Sequence, residues 1–343
     1  MRRALPGTLL LLALCSFKCA FATQPTDATL DRLHKTSTLV CGIDQNEAEF
    51  STTDDHGSIV DFDRELCKAA AVAVIGRDAK VVIKGYPDDQ TSLAALRSGE
   101  IDVVASISAD FTHSTDASIQ LTRPVLYDSV GVMVPTVSNI ATPSDLSGHK
   151  ICFLAETEVE VMLRTWFEKR HLDFIPFPFQ EEGEMEAAYV TGNCTGLAGD
   201  ITRLATSRVS FGAQANKYKL LPEILSKDPL ALAYRSSDAQ WGRVLEWTIN
   251  ALIQAEESGV TASNVESMQS SHDPAIARLL GKSHEVGRPL GLDENWAAHT
   301  IQAVGNYGEI FARDLGPNSQ LKIPRGQNEL WDKGGLMYAL PLK

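Results

Sequence analysis

The chain has 343 residues and carries 44 Asp and Glu against 31 Lys and Arg, a formal net charge of −13 at pH 7. An acidic balance of this size disfavours nucleic acid and anionic membrane surfaces as partners. The length supplies one large domain or two ordinary ones, enough to bury a core without staples.

Residues 1–22 read as a signal peptide. Arg2 and Arg3 form a positive head, residues 9–14 a short apolar run, and Ala20-Phe21-Ala22 a small-x-small cleavage site. The run is too short to span a bilayer, and no later stretch reaches the roughly 20 apolar residues needed. Cys15 and Cys19 follow Leu14 and Lys18, not the small residue that lipoprotein processing prefers, so both leave with the leader. The mature chain is expected to start near Thr23.

Strand and helix patterns then alternate. Thr38-Leu-Val-Cys-Gly42 is a buried-strand run, and residues 63–75 place Leu66, Ala69, Ala70, Ala73 and Val74 on one helical face before Gly76. A strand over 80–84, a short helix over 92–98 stopped by Gly99 and a strand over 101–105 complete a β-α-β-α-β order, which predicts a parallel sheet covered by helices. A second series begins near Gly148. It has a strand at 150–154, an amphipathic helix at 159–170 carrying Met162, Leu163, Trp166 and Phe167, and a further helix and strand ending at Gly199-Asp200. Residues 129–135 and 229–235 are the expected crossings between two lobes. Lobe 1 is then 23–131 with 232–343, the latter including a C-terminal helical extension, and lobe 2 is 136–230. Helices are expected at 241–256 and 296–311, the second with a core-facing stripe of Trp296, Ile301, Val304, Tyr307 and Phe311. Two α/β lobes joined by two crossings leave a cleft between them, a favoured place for ligands.

Four cysteines, Cys41, Cys67, Cys152 and Cys194, stay in the mature chain. An even number behind a leader points to disulfides, in any of three pairings. No C-x-x-C or Cys/His cluster at metal-ligand spacing occurs, so no metal is expected.

Several stretches resemble a known family: Leu39-Val-Cys-Gly42, Leu96-Arg-Ser-Gly-Glu-Ile-Asp-Val-Val104, Ala303-Val-Gly-Asn-Tyr-Gly-Glu-Ile-Phe311 and the closing run from Leu321 to Gly335. They resemble the extracellular solute-binding proteins of family 3, in the general L-amino-acid-binding branch, from about Leu30 to the C-terminus. The resemblance implies a two-lobed type II periplasmic-binding-protein fold and a periplasmic monomer without a cofactor. It also implies capture of a small amino acid or amine for an ABC permease at the inner membrane. Pairing of Cys41 with Cys67 and Cys152 with Cys194 is implied as well. Each bridge would stabilise the fold by about 3–4 kcal/mol in the chain-entropy model.

A free amino acid needs a carboxylate clamp and an ammonium acceptor. The family's clamp is an arginine, whose planar fork binds a carboxylate through two charge-assisted bonds. The matching stretch here runs from Ser106 through Ser108 and Asp110 to Asp116 and has no arginine; Ser114 or Thr115 takes its place. The family's second anchor is a Gly-Thr-Thr-like turn at a helix N-terminus, where free N–H groups and the helix dipole attract anions. Here it reads Glu156, Thr157, Glu158. Asp200 matches the ammonium acceptor, and Phe50 an aromatic that can stack on a cation. Asp44, Glu47 and Glu49 add acids to the same loop, and Asp61 and Arg64 stand where the family has glycine and an apolar residue. The ligand-binding set expected is Phe50, Ser108, Asp110, Thr115, Glu156, Thr157 and Asp200. The expected cargo is cationic or amine-bearing and lacks a free α-carboxylate. A guanidinium such as Arg123 or Arg203 at the interlobe centre would overturn that and return ordinary amino acids as cargo.

No catalytic residue is expected. Gly281-Lys-Ser283 is not a P-loop, since Ile276 holds the required first glycine, and the eight histidines are scattered. Two competing functions are a sensory receptor without a transport role and a cyclohexadienyl dehydratase-like enzyme on the same fold.

Overall fold

The computed structural model describes residues 28–44, 59–282 and 285–342. The leader, Glu47, Glu49 and Phe50 lie outside the described residues.

After helix α1 (Ala28–Thr36), strand β1 (Thr38–Asp44), α2 (Ile59–Ile75), β2 (Lys80–Tyr86), α3 (Asp89–Ser98) and β3 (Val103–Ser108) follow in the expected alternation. The α3 helix has a well-marked start and stop. Asp88 Oδ1 accepts from Thr91 N at 2.7 Å, and Gly99, at φ 80°, ends the helix in the left-handed region that glycine tolerates. β4 (Ile119–Asp128) leads to β5 (Val130–Pro135) in the second sheet. There β6 (Lys150–Leu154), α4 (Glu158–Lys169), β7 (Ile175–Phe179), α5 (Glu182–Val190), β8 (Gly196–Asp200), α6 (Ile201–Ser210) and β9 (Tyr218–Leu220) build the other lobe. β10 (Asp228–Arg235) returns to the first sheet, followed by α7 (Ala239–Glu257), α8 (Trp296–Val304) and α9 (Tyr307–Asp314).

The sheet orders are β2-β1-β3-β10-β4 and β7-β6-β8-β5-β9. β1, β2 and β3 are parallel, as predicted; β10 runs antiparallel between β3 and β4, so the first sheet is mixed. Both crossings are shorter than 129–135 and 229–235. β5 is an interior strand of the second sheet, buried at Val130, Val132, Met133 and Val134, and a Cβ on Gly131 would clash with the Ile201 side chain. A continuous apolar run reads alike as a connector or as a strand covered on both faces, which is why sequence pattern misplaced it. The chain passes between lobes near Asp128–Val130 and Leu225–Asp228. Leu225 N donates to Val130 O at 2.7 Å, and Val130 N to Ser226 Oγ at 3.0 Å.

The single helix expected at 296–311 is two. Gly305 has φ 90°, and Asn306 starts α9 with a reciprocal cap: Glu309 N donates to Asn306 Oδ1 at 2.8 Å and Asn306 N to Glu309 Oε2 at 2.9 Å. The apolar stripe is core on both pieces, with Trp296, Ile301, Val304, Tyr307 and Phe311 all buried. These helices pack on α2 and α7 in lobe 1, while Phe153, Leu163, Trp166 and Phe167 form the heart of lobe 2. Disulfides join Cys41 to Cys67 and Cys152 to Cys194, with Cα–Cα distances of 6.3 and 5.8 Å. The C-terminal extension braces the back of the hinge. Asn328 Nδ2 donates to Tyr127 O at 3.0 Å, Tyr127 N donates to Asn328 Oδ1 at 2.7 Å, and Arg208 of lobe 2 donates to Leu321 O. No helix among the described residues is long and apolar enough to cross a membrane.

Candidate ligand-binding cleft

In an open α/β sheet the crevice lies beyond the carboxyl ends of the parallel strands, and here those ends carry acids. Asp44 ends β1, Ser106 and Ser108 end β3, Asp200 ends β8, and Asp88 and Asp89 follow β2. The hinge adds Asp128, the last residue of β4, which pairs in register with Asp228, the first of β10. Together with Asp63 from α2 these groups line a cavity of about 290 Å³ between the lobes, joined on the lobe-2 side by Thr202 and Arg203. A second cavity of about 320 Å³ adjoins it, walled by Thr157 and Glu158 of the α4 N-terminus, Glu182 and Met185 of α5, and Leu204 and Ser207 of α6. Asp200, Arg203 and Asp228 line both and form the junction.

Asp63 accepts from Ser106 Oγ at 2.7 Å, with Ser106 held at φ 54°. Asp88 is the α3 cap, and the Thr91 backbone and hydroxyl bonds hold its carboxyl below the usual range. Burial pushes Asp89 up, with His113 opposing and Asp44, Asp88 and Asp228 adding to the rise. Burial likewise drives the hinge group. Asp128 is pushed up to about 7, with Asp200 reinforcing and the bonds from Thr202 Oγ1 (2.5 Å) and Ser129 N (2.8 Å) opposing. Asp200 is pushed up to about 6, with Asp228 reinforcing and Arg203 opposing. Asp228 also rises through burial, moderated by the 3.2 Å bond from Ser108 Oγ. A cation arriving among these carboxylates would lower all three, since an opposite charge favours the ionised form.

Of the residues expected from sequence, Ser108 and Asp200 line the first cavity, and Thr157 and Asp200 the second. Asp110, Thr115 and Glu156 line neither. Asp110 caps a single helical turn over Phe111–Ser114, accepting from His113 N at 2.8 Å, and Thr115 Oγ1 donates to Phe111 O at 2.8 Å. Glu156 is exposed, at φ 61°, with its N–H given to Glu160 Oε2 at 3.0 Å. Glycine takes such a positive φ at no steric cost, whereas Glu156 is strained there.

Arg123 is tied to Glu246 at 2.7 Å and to Tyr338 O, and lines neither cavity. Arg203 does reach the cleft, so the expectation of an interlobe centre without a guanidinium is corrected, and with it the expected cargo lacking a free α-carboxylate. Its Nη1 stands 2.5 Å from Glu182 Oε2. Sequence reasoning missed Asp63, Asp88, Asp89, Asp128, Thr202 and Asp228. Acids at strand ends were a usable signal for Asp89 and Asp128; the Asp128–Asp228 pairing exists only once β4 and β10 align. Among the described residues no group of three or more His, Cys, Asp or Glu side chains is placed to hold a metal ion.

No family model matches the chain. It is 39% identical over 327 residues to the general L-amino acid-binding periplasmic protein AapJ of Rhizobium johnstonii, covering 94% of this chain and 95% of that one. It is 34% identical over 319 residues to the glutamate/glutamine/aspartate/asparagine-binding protein BztA of Rhodobacter capsulatus, covering 92% and 94%. A solved periplasmic binding protein from Brucella ovis with glutathione bound superposes with a TM-score of 0.78 at 36% identity, over 92% of this chain and 99% of that one. The match to these relatives runs along nearly the whole length, and the chain belongs to the periplasmic amino-acid-binding proteins of ABC transporters, the solute-binding proteins of family 3.

Proposed function

We propose that the chain is the periplasmic capture component of an amino-acid-type ABC importer, and that its cargo is a small amino-acid-like solute held by its ammonium and its carboxylate. It acts as a monomer: the lobes close on the solute about the hinge, and the closed form docks on an inner-membrane permease. No bond is made or broken, so affinity and closure are the whole mechanism. The relatives support the transport role; their names speak of amino acids and, in one structure, of glutathione.

The observation that carries this reading is the junction of the two cavities, lined by both Asp200 and Arg203. A zwitterionic amino acid places its ammonium on that carboxylate and its carboxylate on that guanidinium, which also bonds to Glu182. Asp200, at the junction of the two cavities, is the proposed first contact for the ligand nitrogen, with Ser108 and Thr157 on opposite walls.

A second reading is an amine cargo without a carboxylate, favoured by the seven aspartates that line the first cavity. Calorimetric titration of the refolded, ligand-stripped protein separates the two. Free amino acids are expected to bind more tightly than the matching alkyl diamines and amino-acid amides. Tight binding of diamines with no response to amino acids would overturn the zwitterion reading and leave the transport role intact.

A further inference from the structure

The lobes meet on both sides of the hinge. Asp128 and Thr202 line the first cleft cavity and also a separate cavity of about 400 Å³, so the hinge stands between a front and a back. Where the front is acidic, the back is largely apolar. Ile201, Leu220 and Leu221 of lobe 2 line it together with Phe311, Leu315 and Ile323 of lobe 1.

Helix α6 serves both surfaces. Arg203, Leu204 and Ser207 line the second cleft cavity. Ile201, Ala205 and Val209, one turn apart, instead join the lobe-1 core: Ala205 is buried within it and the other two pack against it. Beside that stripe the half-buried Arg208 donates to Leu321 O of the C-terminal extension. The extension in turn is fastened to lobe 1 by Arg325, which pairs with Glu256 of α7 at 3.1 Å and lies over the rings of Tyr307 and Phe311. Arg208 therefore grips an element that belongs to the opposite lobe.

We infer that this back surface is a counterweight to closure. A rotation about the hinge that brings the two fronts together parts the two backs. The α6 stripe and the Arg208 bond thus favour the cleft with its mouth apart, and a solute closes it only by gaining more in front than is given up behind. The inference rests on the proposed closing of the lobes and is independent of which solute they close on.

The test reads the mouth directly in the full mature protein, whose own cysteines are paired. Phe111→Cys on the lobe-1 rim and Val161→Cys on α4 of lobe 2, both exposed positions, carry spin labels for distance measurement. Arg208→Met keeps the apolar stem and removes the donor. Without ligand, its label-to-label distances are expected to shift shorter than in the labelled parent. Arg208→Lys, which retains a charged donor, should shift less. Val209→Ala trims the stripe and should shift in the same direction as Arg208→Met. Thermal melting of each variant confirms that it is folded. A mixture of free amino acids added to the labelled parent supplies the reference for closure. Shortening with amino acids but not in Arg208→Met or Val209→Ala overturns the counterweight and leaves closure standing. A longer distance in Arg208→Met overturns it as well, since the contact would then belong to the closed state. No shortening under any of these conditions overturns both the counterweight and the closing of the lobes.

Discussion

The two sides of the cleft carry their negative charge differently. On the lobe-1 wall, Asp63 accepts from Ser106 and Asp88 caps α3, so these carboxylates are tied into their own lobe. Across the hinge, Asp128, Asp200 and Asp228 crowd one another, and burial raises each. The first group is charge with a structural task. The second has a protonation state that a ligand or a proton can change. Charge counted along a sequence does not distinguish them; its partners do.

Substitution on each side should break the comparison or sharpen it. The largest effect is expected at the junction. Asp200→Asn should weaken amine binding by about 2–4 kcal/mol, as when one partner of a partly buried charge pair is removed, with calorimetry as the readout. Next comes pH. Asp200, at about 6, is charged above that value and neutral below it, while an alkylammonium keeps its charge throughout. Amine affinity should therefore fall as the pH drops through 6, by up to about tenfold per unit.

Stability of the empty protein should move the opposite way. Asp128 titrates at about 7 when folded, against about 3.9 for an unperturbed aspartate. A raised carboxyl contributes stability that is fully present below the unfolded value and is lost as the pH rises through the folded one. Asp128→Asn should flatten this slope between about pH 4 and 7, seen in melting temperature across a pH series. Equal slopes in the two proteins would count against the hinge assignment. The smallest effect lies on the lobe-1 wall. Asp88→Ala removes a helix cap and should lower stability by about 1 kcal/mol, so its main signature is in melting temperature rather than in affinity.

Much of this was legible in the sequence because local rules agree with the fold. The lobes follow from alternating strand and helix patterns, and Asp200 follows from its match to the family's ammonium acceptor. What escaped depends on contacts between distant segments. The sequence offers Arg203 as a guanidinium that could reach the interlobe centre, but not that it shares the cavity junction with Asp200 or bonds to Glu182 of α5. Asp110 and Thr115 fall in the stretch that matches the family's carboxylate clamp, yet they close their own helical turn. Residues 296–311 keep a helical period across a break, since Gly305 and Asn306 fall where the stripe has no apolar residue to betray them.

The two disulfides each stay within one lobe, Cys41 with Cys67 and Cys152 with Cys194, and neither spans the mouth between them. Oxidation after export thus hardens each jaw separately and adds no drag to the bite. Loss of either bridge should shorten the working life of one half while the swing that traps cargo keeps its range.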